Sequence, residues 1–382
     1  MSEARLRAVW DLVVVGAGPA GSAAALGALT LRPQARVLLL DRAGFPRDKS
    51  CGDGVAPHAL DVLAAVGCPG AADGFAPVSR LRLGFADGVP VAGTMRRAAY
   101  VVPRVVLDAR LVDTALARGA VLRQHRVRRV EVQPDRVVLD GEVAARAVVA
   151  ADGAGSAVRG QVGVPAPPDG HVAVAIRGYA PVTPGREHEQ VITFAPTGWP
   201  AYAWSFPIGD GRANVGYGEV LRAGRALTRT HLLERLDALL PGAGTEAVAW
   251  RAHHLPLSSG RPRQPDGRVL LAGDAMSLVN PLTGEGIYYA VLSGVLAGRA
   301  ALGSGDPGRG YRAALARELG RHLRHTTVAA ALARRRWVVD AGVAAARADR
   351  RVFDDLVEIG LGRGLLGPRV LRGLARAAVT RR

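Results

Sequence analysis

The stretch LVVVGAGPAGSAAALGAL, Leu12 to Leu29, decides the fold class of this chain of 382 residues. It begins with a short apolar strand, Leu12 to Val15, continues with the pattern GxGxxG at Gly16, Gly18 and Gly21, and ends in an alanine-rich helix. The first glycine permits a tight turn, the second lets a pyrophosphate approach the backbone, and the third lets helix and strand pack closely. The phosphate then lies at the positive end of the helix. We therefore predict a dinucleotide-binding βαβ unit.

The same region also fits a different interpretation, because Leu12 to Leu31 is a run of 20 uncharged residues behind Arg5 and Arg7. Such a run is long enough for a transmembrane helix or a signal peptide. However, it contains several glycines and a proline, and it opens with a compact strand directly after Asp11. Nucleotide binding accounts for the first three of these glycines, and we favour it.

A second apolar strand, Arg36 to Leu40, ends in Asp41, 20 residues past Gly21. A carboxylate at this place can accept hydrogen bonds from ribose hydroxyls. A lone GxGxxG also fits a glycine-rich turn of another α/β protein, but strand, glycines, helix, strand and acid in this order form a much stronger signal. We predict Ala20 in the turn and Arg42 beside the acid as further cofactor contacts.

Two later pairs of glycine and aspartate also follow apolar strands. Asp152 and Gly153 lie in AVVAADGAGSAVR, and Gly273 and Asp274 lie in RVLLAGDAMSLVNPLTGEG, before a Pro/Gly loop and a helix. A dinucleotide extends beyond one βαβ unit, so its other half requires a second acidic residue and a second helix N-terminus. In order and separation the three motifs resemble the flavoproteins of the p-hydroxybenzoate hydroxylase fold. This resemblance implies FAD, with Gly273 and Asp274 on the flavin side and Asp152 and Gly153 linked to handling of both FAD and NADPH.

Four shorter stretches resemble the geranylgeranyl reductase family of FAD-dependent oxidoreductases. They are FPRDKSCGDG (Phe45 to Gly54, family pattern FPRxKxCGxG), PAYAWSFP (Pro200 to Pro207, YxWxFP), NVGYG (Asn214 to Gly218) and NPLTGEGI (Asn280 to Ile287, the PxxGEGI loop over the flavin ring). The resemblance fades after about Gly298. It implies that FAD is contacted by Cys51, Gly52, Arg104, Gly284, Gly286 and Ile287.

Tyr202, Trp204 and Phe206 alternate with small residues, which places all three on one face of a strand. Such a row is ordinarily core packing, and spacing alone favours that interpretation. The family resemblance instead implies a wall against an apolar chain, because aromatic rings supply flat hydrophobic area at little entropic cost. We predict these three residues and Pro207 as substrate contacts, and Tyr202 and Trp204 as members of the catalytic site.

FPRDKSCGDG holds the only lysine, Lys49, and Cys51, one of two cysteines. Most free cysteines are small buried hydrophobes, and Lys49 could simply be a solvated loop residue. Against this, the loop follows the ribose-binding acid, and its glycines, including Gly52, let the backbone approach a ligand closely. A thiol in an apolar pocket keeps its proton at neutral pH. We therefore predict Cys51 and Gly52 at the catalytic centre, with Cys51 as proton donor or as a residue that shapes the pocket.

The C-terminal region is strongly basic, because residues 308 to 382 hold 17 arginines and 6 acidic residues in a chain of formal net charge +17. Such a region suits nucleic acid, an anionic membrane surface or acidic partners. Without aromatic interleaving or a helix-turn-helix or zinc-finger pattern, we expect no nucleic acid. VLRGLARAAVTRR, Val370 to Arg382, is typical either of an interfacial helix or of an amphipathic helix that caps the FAD domain.

Cys51 and Cys68 lack CxxC spacing, so we expect no metal site and a reducing cytoplasm. The basic C-terminal region adds the expectation of peripheral contact with the inner face of the membrane. The predicted fold class is α/β: an FAD-binding Rossmann-like parallel sheet domain, an inserted antiparallel-sheet substrate domain and a C-terminal helical region. We assign residues 9–75, 104–165 and 262–307 to the first, 76–103 and 166–261 to the second, and 308–382 to the third.

The resemblance implies an FAD-dependent reductase that saturates C=C bonds of an isoprenoid chain, with NADPH or another reductant as electron donor. Its substrate would be an isoprenoid lipid, a prenyl diphosphate or a prenylquinone. The alternative within the same fold is a monooxygenase of the aromatic hydroxylase or halogenase type that acts on a small hydrophobic metabolite. Halogenases carry WxWxIP, from which this chain departs at Tyr202 and Phe206. A third alternative is a flavin- or lipid-binding protein without catalysis.

Overall fold

The computed structural model describes residues 9–196, 200–222, 224 and 227–379. The strands are β1 (Trp10–Val15), β2 (Val37–Asp41), β3 (Gly54–Val55), β4 (Val78–Phe85), β5 (Val91–Val101), β6 (Val121–Gln124), β7 (Val130–Val132), β8 (Val137–Leu139), β9 (Val143–Ala150), β10 (Val172–Pro181), β11 (Glu189–Phe194), β12 (Ala201–Pro207), β13 (Arg212–Val220), β14 (Val248–Pro256) and β15 (Val269–Leu271). The α-helices are α1 (Pro19–Leu31), α2 (Pro57–Ala65), α3 (Arg104–Ala117), α4 (Ala157–Gln161), α5 (Arg229–Leu239), α6 (Ile287–Ala301), α7 (Pro307–Ala333), α8 (Arg336–Ala348), α9 (Arg350–Leu361) and α10 (Pro368–Val379).

The first sheet is the nucleotide-binding one, in the order β6-β2-β1-β9-β8-β7, with β15 also paired to β9. β1 lies parallel to β2 and to β9, and β15 is parallel to β9. These central strands are almost wholly apolar and buried, as expected for a parallel sheet covered by helices on both faces. The run that could have been a membrane span is therefore strand β1, a turn and helix α1.

Helices α1 and α6 pack against each other unusually closely. A Cβ atom on Gly294 would lie 2.1 Å from the carbonyl oxygen of Ala20, and one on Gly298 would lie 1.9 Å from that of Ala24. Small residues every fourth position on both helices allow this approach. The packing fixes the N-terminal turn of α1, which follows the GxGxxG glycines.

The second sheet has the order β14-β10-β13-β12-β11-β4-β5-β3, antiparallel except for the parallel pair β11 and β4. β12, which carries the aromatic row, lies between β13 and β11. β3 pairs with β5, so a short piece of the predicted range 9–75 joins this sheet. The predicted α/β class, with an inserted and mostly antiparallel sheet and C-terminal helices, is confirmed.

The arginine-rich region after residue 307 consists of helices α7 to α10, and it packs onto the rest of the protein. Val343 of α8 and Phe353 of α9 are buried with Leu81 and Met95 of the second sheet. Hydrogen bonds from the loop before α6 reach α9, as in the 2.9 Å bond from Thr283 to the carbonyl of Gly360. Among the described residues, no helix is both long and apolar enough to cross a membrane.

Candidate active site

A continuous cavity of about 1230 Å³ extends between the two sheets and beneath the C-terminal helices. One end is lined by the glycine turn after β1, the middle by the loop that holds Cys51, and the remainder by β12 and by apolar residues of α7 to α10. Nearly every residue predicted for the site lines this cavity. The exceptions are Gly21 and Gly273, which lie behind its wall, and Pro207, discussed below.

The turn after β1 has the shape that a pyrophosphate requires. Gly16 adopts φ +95°, and a Cβ atom there would lie 2.4 Å from the carbonyl oxygen of Ala151. A Cβ atom on Gly21 would lie 1.7 Å from the carbonyl oxygen of Gly16. Gly18 instead faces the cavity, and no side chain caps the N-terminus of α1. The N–H groups of Gly16 and Ala17 are bonded to Leu40 and Asp41, so the N–H groups open to an anion are those that follow, at the N-terminus of α1.

Two guanidinium groups flank the turn. A Cβ atom on Gly18 would lie 3.4 Å from Arg47 and 3.6 Å from Arg104. Both arginines bind Asp108, which is fully buried, and Arg104 does so through two bonds of 2.5 and 2.7 Å. The carboxylate of Asp108 raises the pKa of Arg104 against the effect of burial. Paired in this way, Arg104 can remain charged inside the protein and face a phosphate.

Asp41 lies at the end of β2 beside the turn. Its carboxylate accepts hydrogen bonds from the N–H groups of Ala17 at 2.8 Å and Ala43 at 2.9 Å. These bonds fix the carboxylate at the cavity wall, which Arg42 also lines. The arrangement fits the predicted ribose contact.

The two later Asp–Gly motifs meet at the middle of the cavity. Asp152 accepts from the hydroxyl of Ser156 at 2.6 Å and from the N–H of Ala157 at 2.8 Å, so it holds its own loop. Asp274 pairs with Lys49 at 3.4 Å, and the Lys49 amine also lies 3.9 Å from where a Cβ atom of Gly153 would be. The only lysine of the chain therefore lies between both motifs.

The loop before α6 approaches the aromatic row. The Tyr202 hydroxyl donates to the carbonyl of Thr283 at 2.5 Å, and a Cβ atom on Gly284 would lie 2.8 Å from that hydroxyl. Burial raises the pKa of Glu285 to about 7, while its carboxylate accepts from the N–H of Tyr288. Gly286 and Ile287 complete the loop and begin the helix along the cavity wall.

Tyr202, Trp204 and Phe206 face the cavity together, with neighbouring ring centroids 5.9 and 6.3 Å apart. Pro207 has the opposite side-chain parity on β12 and does not line the cavity. The structure therefore does not bring Pro207 to the cavity with the aromatic row, because successive strand residues point to opposite faces, and its contact with substrate stays a prediction.

Asn214 joins the aromatic row to the Cys51 loop. Its side-chain oxygen accepts from the indole of Trp204 at 2.9 Å, and its nitrogen donates at 2.8 Å to both the Cys51 carbonyl and the Asp53 carboxylate. Asp53 also accepts from the Tyr179 hydroxyl at 2.6 Å. Both Asn214 and Asp53 are fully buried. This cluster holds Gly52 within 3.7 Å of the Trp204 and Phe206 rings, measured from where its Cβ atom would be.

Cys51 itself lines the cavity as a half-buried thiol. Burial raises its pKa above the ordinary value of 9.0, and the charge of Arg104 opposes this shift only in part. The side chain therefore carries its proton at neutral pH, as the sequence predicts.

Several residues of the site escape sequence reasoning. Arg47, Asp53, Asn214 and Glu285 lie inside quoted motifs, but their roles depend on partners distant in the chain. Asp108 had a local signal, since it follows Arg104 by four positions on one helix.

Asp53 should make stability depend on pH. Burial raises its pKa from 3.8 to about 6, so the folded state binds more protons than the unfolded state between these values. The free energy of unfolding contributed by this group therefore falls as pH rises from about 4 to 6. One pKa unit is worth about 1.4 kcal/mol, and the part of the shift expressed between about pH 4 and 6 amounts to about 2 kcal/mol. The free energy of unfolding of Asp53→Asn should therefore rise by about 2 kcal/mol relative to that of the wild type across this window.

Urea unfolding of both proteins between these pH values measures the difference. Asp210→Asn is the control, because hydrogen bonds from Arg212 lower the pKa of that surface carboxylate and predict a small change of opposite sign. An Asp53→Asn difference that stays constant with pH would contradict the prediction.

The glycine turn, Asp41 beside it and the acidic motifs at the middle of the cavity fit a dinucleotide cofactor, and with the FAD binding domain they define an FAD-dependent oxidoreductase of two-sheet architecture. The FAD binding domain family matches residues 10–299. The chain belongs to this family and, within it, to the geranylgeranyl reductase type. The resemblance drawn from the sequence is therefore confirmed.

Two relatives show this most directly. A menaquinone reductase of Mycolicibacterium smegmatis is 35% identical over 317 residues, 75% of this chain and 75% of that protein. A digeranylgeranylglycerophospholipid reductase of Methanopyrus kandleri is 35% identical over 319 residues, 77% and 80% of the two chains.

Solved structures share the fold. A geranylgeranyl bacteriochlorophyll reductase-like protein from Thermoplasma acidophilum gives a TM-score of 0.75 at 21% identity over 98% of each chain. A flavin-dependent brominase gives 0.73 at 15% identity over 97% of this chain and 99% of its own. Likeness at this level of identity concerns the fold and does not separate a reductase from a halogenase.

Proposed function

We propose that this flavoenzyme saturates C=C bonds of an isoprenoid chain carried by a lipid, a diphosphate or a quinone. The observation that carries the proposal is the continuous cavity, which joins the dinucleotide turn to the aromatic row and to an apolar wall built by the C-terminal helices. The relatives named as menaquinone and digeranylgeranylglycerophospholipid reductases support the substrate class.

The cofactor end of the cavity fits FAD. In the proposal, the open N–H groups around Gly18 and Ala20 hold the pyrophosphate, with Arg104 beside them. Gly16 lines the cavity next to the pyrophosphate, and Gly21 supports the turn. Asp41 and Arg42 bind the adenosine ribose. The flavin half is held by Cys51, Gly52, Asp152, Gly153, Gly273, Asp274, Gly284, Gly286 and Ile287. Bound and reduced, FAD supplies the hydride that the reaction needs.

The substrate end fits a long apolar chain. Tyr202, Trp204 and Phe206 form one wall, and the Asn214 hydrogen bond prevents the Trp204 ring from turning. The apolar helices exclude water, which would otherwise compete for the developing positive charge on a protonated alkene. In the proposal, the Cys51 thiol or a bound water donates a proton to one carbon of the double bond, and the adjacent carbon receives the hydride.

The electron donor in the proposal is NADPH or another cellular reductant. The protein works in the cytoplasm and contacts the inner face of the membrane peripherally, because prenyl lipids and quinones reside in the bilayer. The amphipathic segment at residues 370–382 was one candidate for this contact, and its residues 380–382 lie outside the described part of the chain.

Anaerobic turnover tests the function. The purified holoenzyme, reduced chemically or by NADPH, should reoxidise with a prenylquinone or geranylgeranyl lipid and yield a product heavier by two hydrogen atoms per bond. Mass spectrometry of the extracted lipid measures this. Oxygen uptake coupled to NADPH oxidation, with no saturated product, would instead support the monooxygenase alternative. A flavin that no reductant bleaches would support a binding protein without catalysis.

A further inference from the structure

The corner between helices α7 and α8 presents apolar and basic side chains together on the surface. On α7, residues 321, 324, 328 and 332 lie three or four positions apart and share one exposed face. The chain then turns through an exposed basic segment into α8. We define the α7–α8 corner as Arg321, Arg324, Val328, Leu332, Arg334, Arg335 and Trp337.

Three large apolar side chains of the corner are open to solvent. Val328 is 52%, Leu332 42% and Trp337 56% exposed. Single exposed hydrophobics are common, but three within ten residues, one of them tryptophan, mark an interaction surface. Tryptophan is enriched where an apolar region meets water, as at the edge of a bilayer.

The basic side chains of the corner lack acidic partners. Arg321, Arg324, Arg334 and Arg335 form no ion pair with any residue that the structure describes. Their neighbours differ, since Arg317 pairs with Glu318, Arg336 with Asp87 and Arg363 with Glu318. Burial and then the charge of Arg324 lower the pKa of Arg261, so Arg261 adds a further positive group near Arg324.

The corner is continuous with the mouth of the cavity. Leu332 is both exposed and part of the cavity lining. Ala329 and Ala333 of α7 and Val338 and Val339 of α8 continue the apolar lining inward. A hydrocarbon chain at the corner therefore has an apolar path into the site.

Among the side chains that the structure describes on helix α10, Leu371 is the one large apolar residue that is exposed, at 48%. Val370 is buried, and Val370 and Leu374 line the cavity. Leu374 lies 3.7 Å from where a Cβ atom of Gly342 in α8 would be. Val370 and Leu374 are thus occupied within the protein, as expected for a helix that closes the cavity.

We propose that the α7–α8 corner docks on an anionic lipid bilayer, with Trp337, Leu332 and Val328 in the headgroup region and the four arginines on phosphate groups. A bilayer suits this surface because a partner that covers the corner must offer both negative charge and an apolar region. The cavity also opens at the same place. The proposed docking surface is supported by the exposure of its apolar side chains and by the charge of its arginines. Only the passage of an isoprenoid chain from bilayer to cavity rests on the proposed function.

Vesicle flotation of the full-length holoenzyme tests the docking. The vesicles contain phosphatidylcholine alone or with about a third phosphatidylglycerol. Since each arginine near an anionic surface contributes about 1 kcal/mol, R334Q/R335Q should bind the anionic vesicles about 30-fold more weakly. W337S should weaken binding as well, and added salt should weaken the wild type. R128Q/R129Q is the matched control, because it removes two adjacent exposed arginines of the nucleotide-binding domain.

Equal binding of R334Q/R335Q and R128Q/R129Q would overturn the proposal, and so would binding lost only in R369Q/R372Q of α10. A dimer in sedimentation velocity that W337S abolishes, without vesicle binding, would assign the corner to a second copy of the chain. Turnover of detergent-dispersed isoprenoid substrate is measured in parallel. If the wild type floats but reduces no such substrate, the proposed function fails while the docking stands.

Discussion

Replacing Gly298 by alanine should destabilise the protein by about 3 kcal/mol or more, the upper end of the usual cost of overpacking. The added Cβ atom would lie 1.9 Å from the carbonyl oxygen of Ala24 and 3.0 Å from the backbone nitrogen of Ala28. Both contacts are to backbone, so no side-chain rotation relieves them. Helix α1 has to shift, and its N-terminal turn carries the predicted pyrophosphate site. We therefore expect weaker FAD retention together with a lower urea midpoint.

Gly320→Ala is the matched control, because the same change is made within helix α7. There the nearest atom to the new methyl group is the Ala316 Cβ at 3.9 Å, an ordinary contact. Alanine is the better helix former by about 1 kcal/mol, so this variant should be slightly more stable than the wild type. Unfolding curves and the ratio of flavin to protein absorbance measure both effects. If Gly298→Ala and Gly320→Ala have the same stability and the same flavin content, the result contradicts the close packing of α1 on α6.

The first βαβ unit could be predicted because its signals are local. The strand at Leu12 to Val15, the three glycines and Asp41 fall within 30 residues, and each glycine has one steric reason to be there. The close approach of Gly298 to Ala24 had no such signal. Small residues on a helix show that another element can pack closely against it, but they do not identify that element.

The cluster around Asn214 illustrates the same limit at the active site. Its bonds reach Cys51 and Asp53, more than 160 positions away in the chain. The family pattern NVGYG located the residue without giving its partners. Burial then sets the chemistry, because the raised pKa values of Asp53 and Glu285 follow from their burial in the folded protein and not from neighbouring sequence.

The arginine-rich helices were the least predictable part. An amphipathic pattern shows that a helix has an apolar face, but protein core, cavity wall and bilayer satisfy that face equally well. In this chain α7, α8, α9 and α10 all turn apolar residues toward the cavity, whereas Val328 and Leu332 of α7 and Trp337 of α8 are also exposed to solvent. Only the tertiary arrangement shows which apolar side chains line the cavity and which remain exposed at the surface.

Replacing Cys51 by alanine should slow alkene reduction by about 100-fold or more while FAD stays bound. A general acid placed at the reacting group typically contributes 10²- to 10⁴-fold, and the raised pKa of this thiol keeps its proton available at neutral pH. Alanine removes the donor and adds no bulk. Single-turnover reoxidation of the pre-reduced enzyme by an isoprenoid substrate, followed anaerobically, separates this step from reduction of the flavin.

Cys68→Ala is the internal control, because Cys68 is the other cysteine of the chain and lies buried away from the cavity, with its sulfur 3.4 Å from the Thr114 hydroxyl. Its burial also raises its pKa, so the two thiols share their protonation but differ in position. We expect Cys68→Ala to keep the wild-type rate of reduction. A Cys51→Ala enzyme with unchanged turnover would remove the thiol from the mechanism and leave a bound water as proton donor. Loss of flavin in that variant would instead assign Cys51 to shaping the cofactor pocket.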